Sequence, residues 1–168
     1  MQEYGRILLP VPNKLAVIIL NWRIINMDFK DQPFIPMLFG GDINTYSVAR
    51  AFYEEYQVKT YVFGKFPSGP SYNSNIIEYH ADLKIDTDDV FMKTVCDFAA
   101  AHADKTVLTI GCGDSYVALC SRHKDEMPEN VVAPYIDFEL MDRLQQKDLF
   151  YRLCREHDID FPDTLVFR

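Results

Sequence analysis

From residue 34 onward the chain alternates between two hydrophobic rhythms. Phe34-Ile-Pro-Met-Leu-Phe39 is a short apolar run that stops at Gly40-Gly41-Asp42, which predicts a buried strand ended by a turn. Over 43–56 the apolar positions recur at helical spacing. Ile43, Tyr46, Val48, Ala49, Phe52 and Tyr53 are expected on one broad face, with Arg50, Glu54 and Glu55 outward and Asp42 as N-cap. A strand follows over 59–63, stopped by Gly64, and 66–75 is a loop rich in Pro, Ser and Gly. The next strand is 76–81. A long helix runs from Asp86 to about His102, and Asp86, Asp88 and Asp89 crowd its start, where negative charge suits the helix dipole.

The rhythm then repeats. Residues 106–110 predict a strand ended by Gly111-Cys112-Gly113-Asp114, and 115–123 a short helix. A fifth strand is expected over 131–134, then helices over 137–144 and 147–157. Strands separated by helices at this spacing pair in parallel through crossover connections. The expectation is an α/β fold, a Rossmann-like parallel sheet with helices on both faces. Residues 1–33 do not share the pattern: Pro10 and Pro12 interrupt them, and the apolar run 15–20 reads either as an added edge strand or as an extension without a role.

In such a sheet ligands bind beyond the carboxyl ends of the strands. That edge carries both glycine loops, so Gly40, Gly41 and Asp42, with Gly111, Gly113 and Asp114, are candidate substrate-binding residues. The alternative is that the glycines only permit tight turns into the helices.

Composition narrows the partners. Of the 168 residues 48% are hydrophobic and 25% charged, with a formal net charge of -8; a surface of that sign repels a phosphate backbone, which argues against nucleic acid. Cys96, Cys112, Cys120 and Cys154 form no C-x-x-C pair and read as reduced, buried thiols. The run 15–20 is too short to span a bilayer, so the expected location is cytoplasmic, away from membranes. His80, His102, His123 and His157 share no metal-ligand spacing with the cysteines, so no protein-held metal is expected. Cys112 lies near a helix start, where a thiolate is stabilised, but no histidine stands by to activate it, and a small loop residue is the simpler reading.

Three internal stretches, 39–52 (Phe39-Gly-Gly-Asp-Ile-Asn-Thr-Tyr-Ser-Val-Ala-Arg-Ala-Phe52), 110–116 (Ile110-Gly-Cys-Gly-Asp-Ser-Tyr116) and 132–136 (Val132-Ala-Pro-Tyr-Ile136), precede a terminal segment in which Lys147 heads a helix that is followed by a polar turn and Pro162. In order and spacing this set resembles the front of the ATP-grasp ligases, in the carboxylate–amine ligase branch that includes D-aspartate ligases and is similar to carbamoyl-phosphate-synthase-like proteins. The resemblance implies a pre-ATP-grasp domain over 34–136, after an extension over 1–33, and the start of the nucleotide-binding lobe over 137–168. It also implies ATP and Mg²⁺ in a full-length enzyme, an acyl-phosphate route to an amide, and Lys147 at the ATP phosphates. Partners would be the remaining lobes of the same protein and small carboxylate and amine substrates, with a homodimer left open; the fragment alone would be inactive.

Two other readings use the same residues. Val107-Leu-Thr-Ile-Gly-Cys-Gly-Asp114 is similar to the S-adenosylmethionine loop of class I methyltransferases, although Thr109 and Ser115 depart from it and it follows the fourth strand. The third reading is a non-catalytic nucleotide-binding or docking module. On residue type alone, Lys147 is a solvated surface charge.

Overall fold

The computed structural model describes residues 27–165; the run 15–20 and the last three residues lie outside them. Strands β1 (Phe34–Phe39), β2 (Thr60–Gly64), β3 (Ile77–Ala81), β4 (Thr106–Gly111) and β5 (Val131–Val132) form one sheet. Their order is β3-β2-β1-β4-β5 and every pairing is parallel. The expected α/β class is therefore what the chain adopts. Helix α1 (Ile43–Tyr56) follows β1, a one-turn helix α2 (Gly69–Tyr72) follows β2, and α3 (Asp88–Ala101) follows β3. Helix α4 (Asp114–His123) follows β4, and α5 (Phe138–Gln145) and α6 (Lys147–Glu156) follow β5. Among the described residues no helix is long and apolar enough to cross a membrane.

The pleat sorts β1 between two cores. Ile35, Met37 and Phe39 join Phe91, Val95 and Phe98 of α3 and Leu119 and Cys120 of α4. Leu38, with Val62 of β2, turns to the other face and meets Ala49 of α1. Both faces of the central strand are covered, which is why its sequence is a continuous apolar run. The rings of Phe39 and Phe91 lie 4.6 Å apart, and burying side chains of this size contributes roughly 1.5–3 kcal/mol each.

Four local expectations needed correction. Ile43, assigned to the inward face of α1, is 60% exposed, whereas Thr45 is fully buried. A helix turns through about 200° in two residues, so the two cannot share a face; Thr45 lies four residues before the buried Ala49, on the inward stripe, and its hydroxyl bonds the Asp42 carboxylate at 3.1 Å. Asp86 is not in the first turn of α3, which begins at Asp88 after Thr87 as N-cap; its carboxylate takes the Lys65 ammonium at 2.7 Å. Strand β5 has two residues, not four: the Tyr135 N–H bonds the Ala133 carbonyl at 2.8 Å across Pro134, a tight turn that ends the ladder. The loop 66–75 contains α2.

Residues 27–33, assigned by sequence to the extension, are tied to the sheet domain. The Lys30 N–H bonds the Gln57 carbonyl at 2.8 Å, the Thr106 N–H bonds that of Pro33 at 2.9 Å, and Asp31 pairs with Lys105. Helix α5 packs on α4 and on α6. Ser121 Oγ donates to the Ile136 carbonyl at 2.7 Å, and Met141 and Cys154 are buried.

Candidate active site

The strand order reverses direction between β1 and β4, and the crevice outside that switch point is where an open parallel sheet receives ligands. Short backbone bonds stitch the strand ends together there. The Gly40 N–H donates to the Phe63 carbonyl at 3.0 Å, and the Cys112 N–H to the Phe39 carbonyl at 2.8 Å. A cavity of about 480 Å³ opens above them, lined by Gly40, Gly41 and Asp42, by Lys65, Phe66, Ser68 and Gly69, by Tyr79, and by Cys112, Gly113, Ser115 and Tyr116.

Each wall has a local cause. Gly40 has φ +146°, a conformation open to glycine, and a Cβ there would stand 2.3 Å from Thr45 Oγ1. That turn delivers Asp42 to the head of α1. Its Oδ1 accepts the N–H groups of Asn44 and Thr45 at 3.1 Å each, so the expected N-cap is present and the first amides of α1 are satisfied. The opposite wall differs. Helix α4 starts from Gly113 in extended backbone with no side-chain cap, and Asp114 lies in its first turn. Gly111 does not line the cavity; it lies under α4, where a Cβ would come within 2.6 Å of the backbone at Tyr116 and Val117. Its N–H donates to Tyr135 Oη at 2.7 Å.

Of the substrate-binding candidates named from sequence, Gly40, Gly41, Asp42 and Gly113 line this one cavity. Asp114 stands next to the lining rather than in it. The residues that sequence reasoning missed come from other elements. Lys65 leaves the end of β2, and Tyr79 arises from β3, donating its hydroxyl to the Phe66 carbonyl at 2.8 Å. Ser71 Oγ of α2 donates to the Asp42 carbonyl at 3.2 Å, drawing the 66–72 segment over the first glycine loop. The Gly-Pro-Ser composition of that segment marked it as a loop, but nothing local said which way it folds.

Electrostatics distinguish the nucleophile candidates. Burial pushes the Cys112 thiol up to about 11, with the Asp42 charge adding to the effect and a hydrogen bond from Thr45 opposing it. At neutral pH it is a thiol, which removes the thiolate reading. Burial raises Tyr116 to about 12, with the charge of Asp86 contributing, and burial also raises Tyr79. Both phenols stay protonated; the Tyr79 proton goes to the Phe66 carbonyl. Lys147, the first residue of α6, is exposed. Two residues before it, Gln145 Nε2 donates to the Asp114 carbonyl at 2.8 Å, which brings the start of α6 beside the second glycine loop. Among the described residues no group of three or more His, Cys, Asp or Glu side chains is placed to hold a metal ion.

Comparison with known proteins bears on what the chain resembles in sequence. The chain is 37% identical over 142 residues to a D-aspartate ligase from Enterococcus faecium (strain Aus0004), a match covering 83% of this chain. It spans about a third of that relative's length, 34%. No family model matches the chain, and no solved structure matches it. The similarity read from the sequence, to the D-aspartate ligase branch, therefore stands.

Proposed function

We propose that the chain supplies the carboxylate-binding part of an ATP-dependent carboxylate–amine ligase of the ATP-grasp type. The observation that supports this best is the cavity at the β1/β4 switch point, in a chain 37% identical to a D-aspartate ligase. The cavity carries both signs of charge: Lys65, paired with Asp86, and Asp42 both line it. A ligand with an ammonium and a carboxylate, an amino acid such as aspartate, complements that mixture.

In the proposed reaction a carboxylate oxygen attacks the γ-phosphorus of ATP and ADP leaves. An amine then attacks the acyl carbon, phosphate departs, and the amine loses a proton to leave an amide. ATP brings the phosphoryl group, and Mg²⁺ offsets its charge. This chain's residues serve the first partner: the protonated phenol of Tyr116 and the uncapped start of α4 donate hydrogen bonds to an anion, while the Tyr79 proton is committed to the Phe66 carbonyl. Lys147 suits a phosphate contact by being an exposed cation beside the Gly111 loop, and the ligands of Mg²⁺ belong, on this reading, outside the described residues. The methyltransferase alternative loses its main support, because packing against α4 accounts for Gly111.

The test is ADP release by the full-length protein, supplied with ATP, D-aspartate and an amine acceptor. Release that depends on D-aspartate is expected, and Lys147→Ala should raise the KM for ATP or lower kcat by about tenfold, the loss of one charge-assisted contact. Equal ADP release with and without every amino acid tried would sink the proposal, and unaltered kinetics would return Lys147 to the role of a surface charge.

A further inference from the structure

Lys65 was not marked by any sequence motif, yet among the described residues lining the cavity it carries the only positive charge. An exposed lysine paired with an aspartate is ordinarily worth little, so its position has to carry the argument. Lys65 follows directly on Gly64, the last residue of β2, at the ligand-binding edge of the sheet. The backbone on both sides of it is held: the Asp82 N–H bonds the Gly64 carbonyl at 2.9 Å, and Tyr79 Oη bonds that of Phe66 at 2.8 Å. Its Nζ lies 2.7 Å from Asp86 Oδ2, and its side chain keeps 38% of its surface exposed.

These constraints act together. A free lysine pays rotamer entropy to hold a ligand, whereas this one is already tethered at its backbone and at its ammonium. One pairing uses one of three ammonium N–H donors, leaving two for a ligand. The same cavity is lined by Ser115 and Tyr116 at the start of α4, donors without formal charge. The other charged wall, Asp42, has both carboxylate oxygens engaged by Asn44 and Thr45. The cavity thus has one preorganised cation among neutral donors and the Asp42 carboxylate, an arrangement for gripping a ligand's carboxylate at Lys65.

We propose that Lys65 binds the carboxylate of the cavity's ligand and that Asp86 is its positioning residue. This rests on the function proposed above. Kinetics of the full-length protein separate the two: Lys65→Met should raise the KM for D-aspartate about tenfold or more, the loss of a hydrogen bond to a charged group. The KM for ATP should change less than about twofold. Lys65→Arg, which keeps the charge, should recover part of the loss, and Asp86→Asn should raise the KM for D-aspartate a few-fold without altering kcat at saturation. Binding of D-aspartate followed by NMR gives the same ranking for any variant too slow to assay. If Lys65→Met leaves the KM for D-aspartate unchanged in a protein that uses it, this inference fails alone. If the wild-type protein neither binds nor turns over D-aspartate, the reading of the cavity fails and the role of Lys65 fails with it.

Discussion

Helices α1 and α4 both begin at a glycine-bearing turn from a central strand, and both point their first turn at the same cavity. In α1 the Asp42 carboxylate closes the N-terminus, taking two backbone amides at 3.1 Å. In α4 the N-cap is Gly113, which has no side chain to offer. Their other ends differ too. Helix α1 stops at Gln57 in a left-handed conformation, φ 56°, with no basic residue in its last turn. Helix α4 ends in Arg122 and His123, held to Asp88 at 2.7 and 2.6 Å. One helix is closed at the cavity; the other leaves its dipole end open there and is anchored by charge at the far side. Two loops that read alike in sequence thus differ in structure: the first is capped by its own carboxylate, the second starts its helix with no side-chain cap.

The sharpest way to break this contrast is within the second loop. Gly111→Ala places a methyl group 2.6 Å from backbone atoms of α4, and should cost about 3 kcal/mol in urea unfolding. Gly113→Ala meets nothing within 4 Å, so its loss should stay below about 1 kcal/mol, the disadvantage of alanine against glycine at an N-cap. Equal losses at both positions would mean that α4 does not pack on β4 as described.

A smaller effect tests the cap. Asp42→Ala should lose about 1 kcal/mol, whereas Gly113→Ser, which supplies the missing cap, should gain a few tenths. If Asp42→Ala proves neutral in the same measurement, the first helix is no more closed than the second.

The smallest effect concerns the far end of α4. The Asp88 carboxyl is held below its ordinary value of 3.8, first by the hydrogen bond with His123 and then by that with Arg122. A carboxyl depressed in the folded state stabilises fully above the unfolded-chain value, and that contribution is lost as pH falls through the lower folded value. Stability should therefore decline below about pH 4, by less than about 1 kcal/mol because half of the Asp88 side chain is exposed. In Asp88→Asn the decline across that window should be shallower; an identical slope would show that the pair contributes nothing.

Much of the architecture was readable before any coordinates. The span of α1 and the position of β1 follow from apolar period and from Gly40 and Asp42 as punctuation, all local signals. Reading went astray where a polar residue held an inward position of the helical period, as when Thr45, four before the buried Ala49, was passed over for Ile43. It also went astray at a helix boundary, where α3 starts after Thr87 and leaves Asp86 free to pair with Lys65. Of the cavity, sequence reached only the glycine loops, because glycine after a strand is a mark that one segment carries by itself.

By itself the chain's order of residues determined the α/β class, the alternation of elements and the D-aspartate-ligase likeness, since each depends on neighbours within a few turns or on motif order. The meeting of Lys65, Tyr79 and Tyr116 around one space was decided by tertiary structure alone. They leave β2, β3 and α4, and parallel pairing in the order β3-β2-β1-β4 is what carries them to one edge. Strand order is a matter of non-local packing on both faces of the sheet, and no short stretch of sequence encodes it.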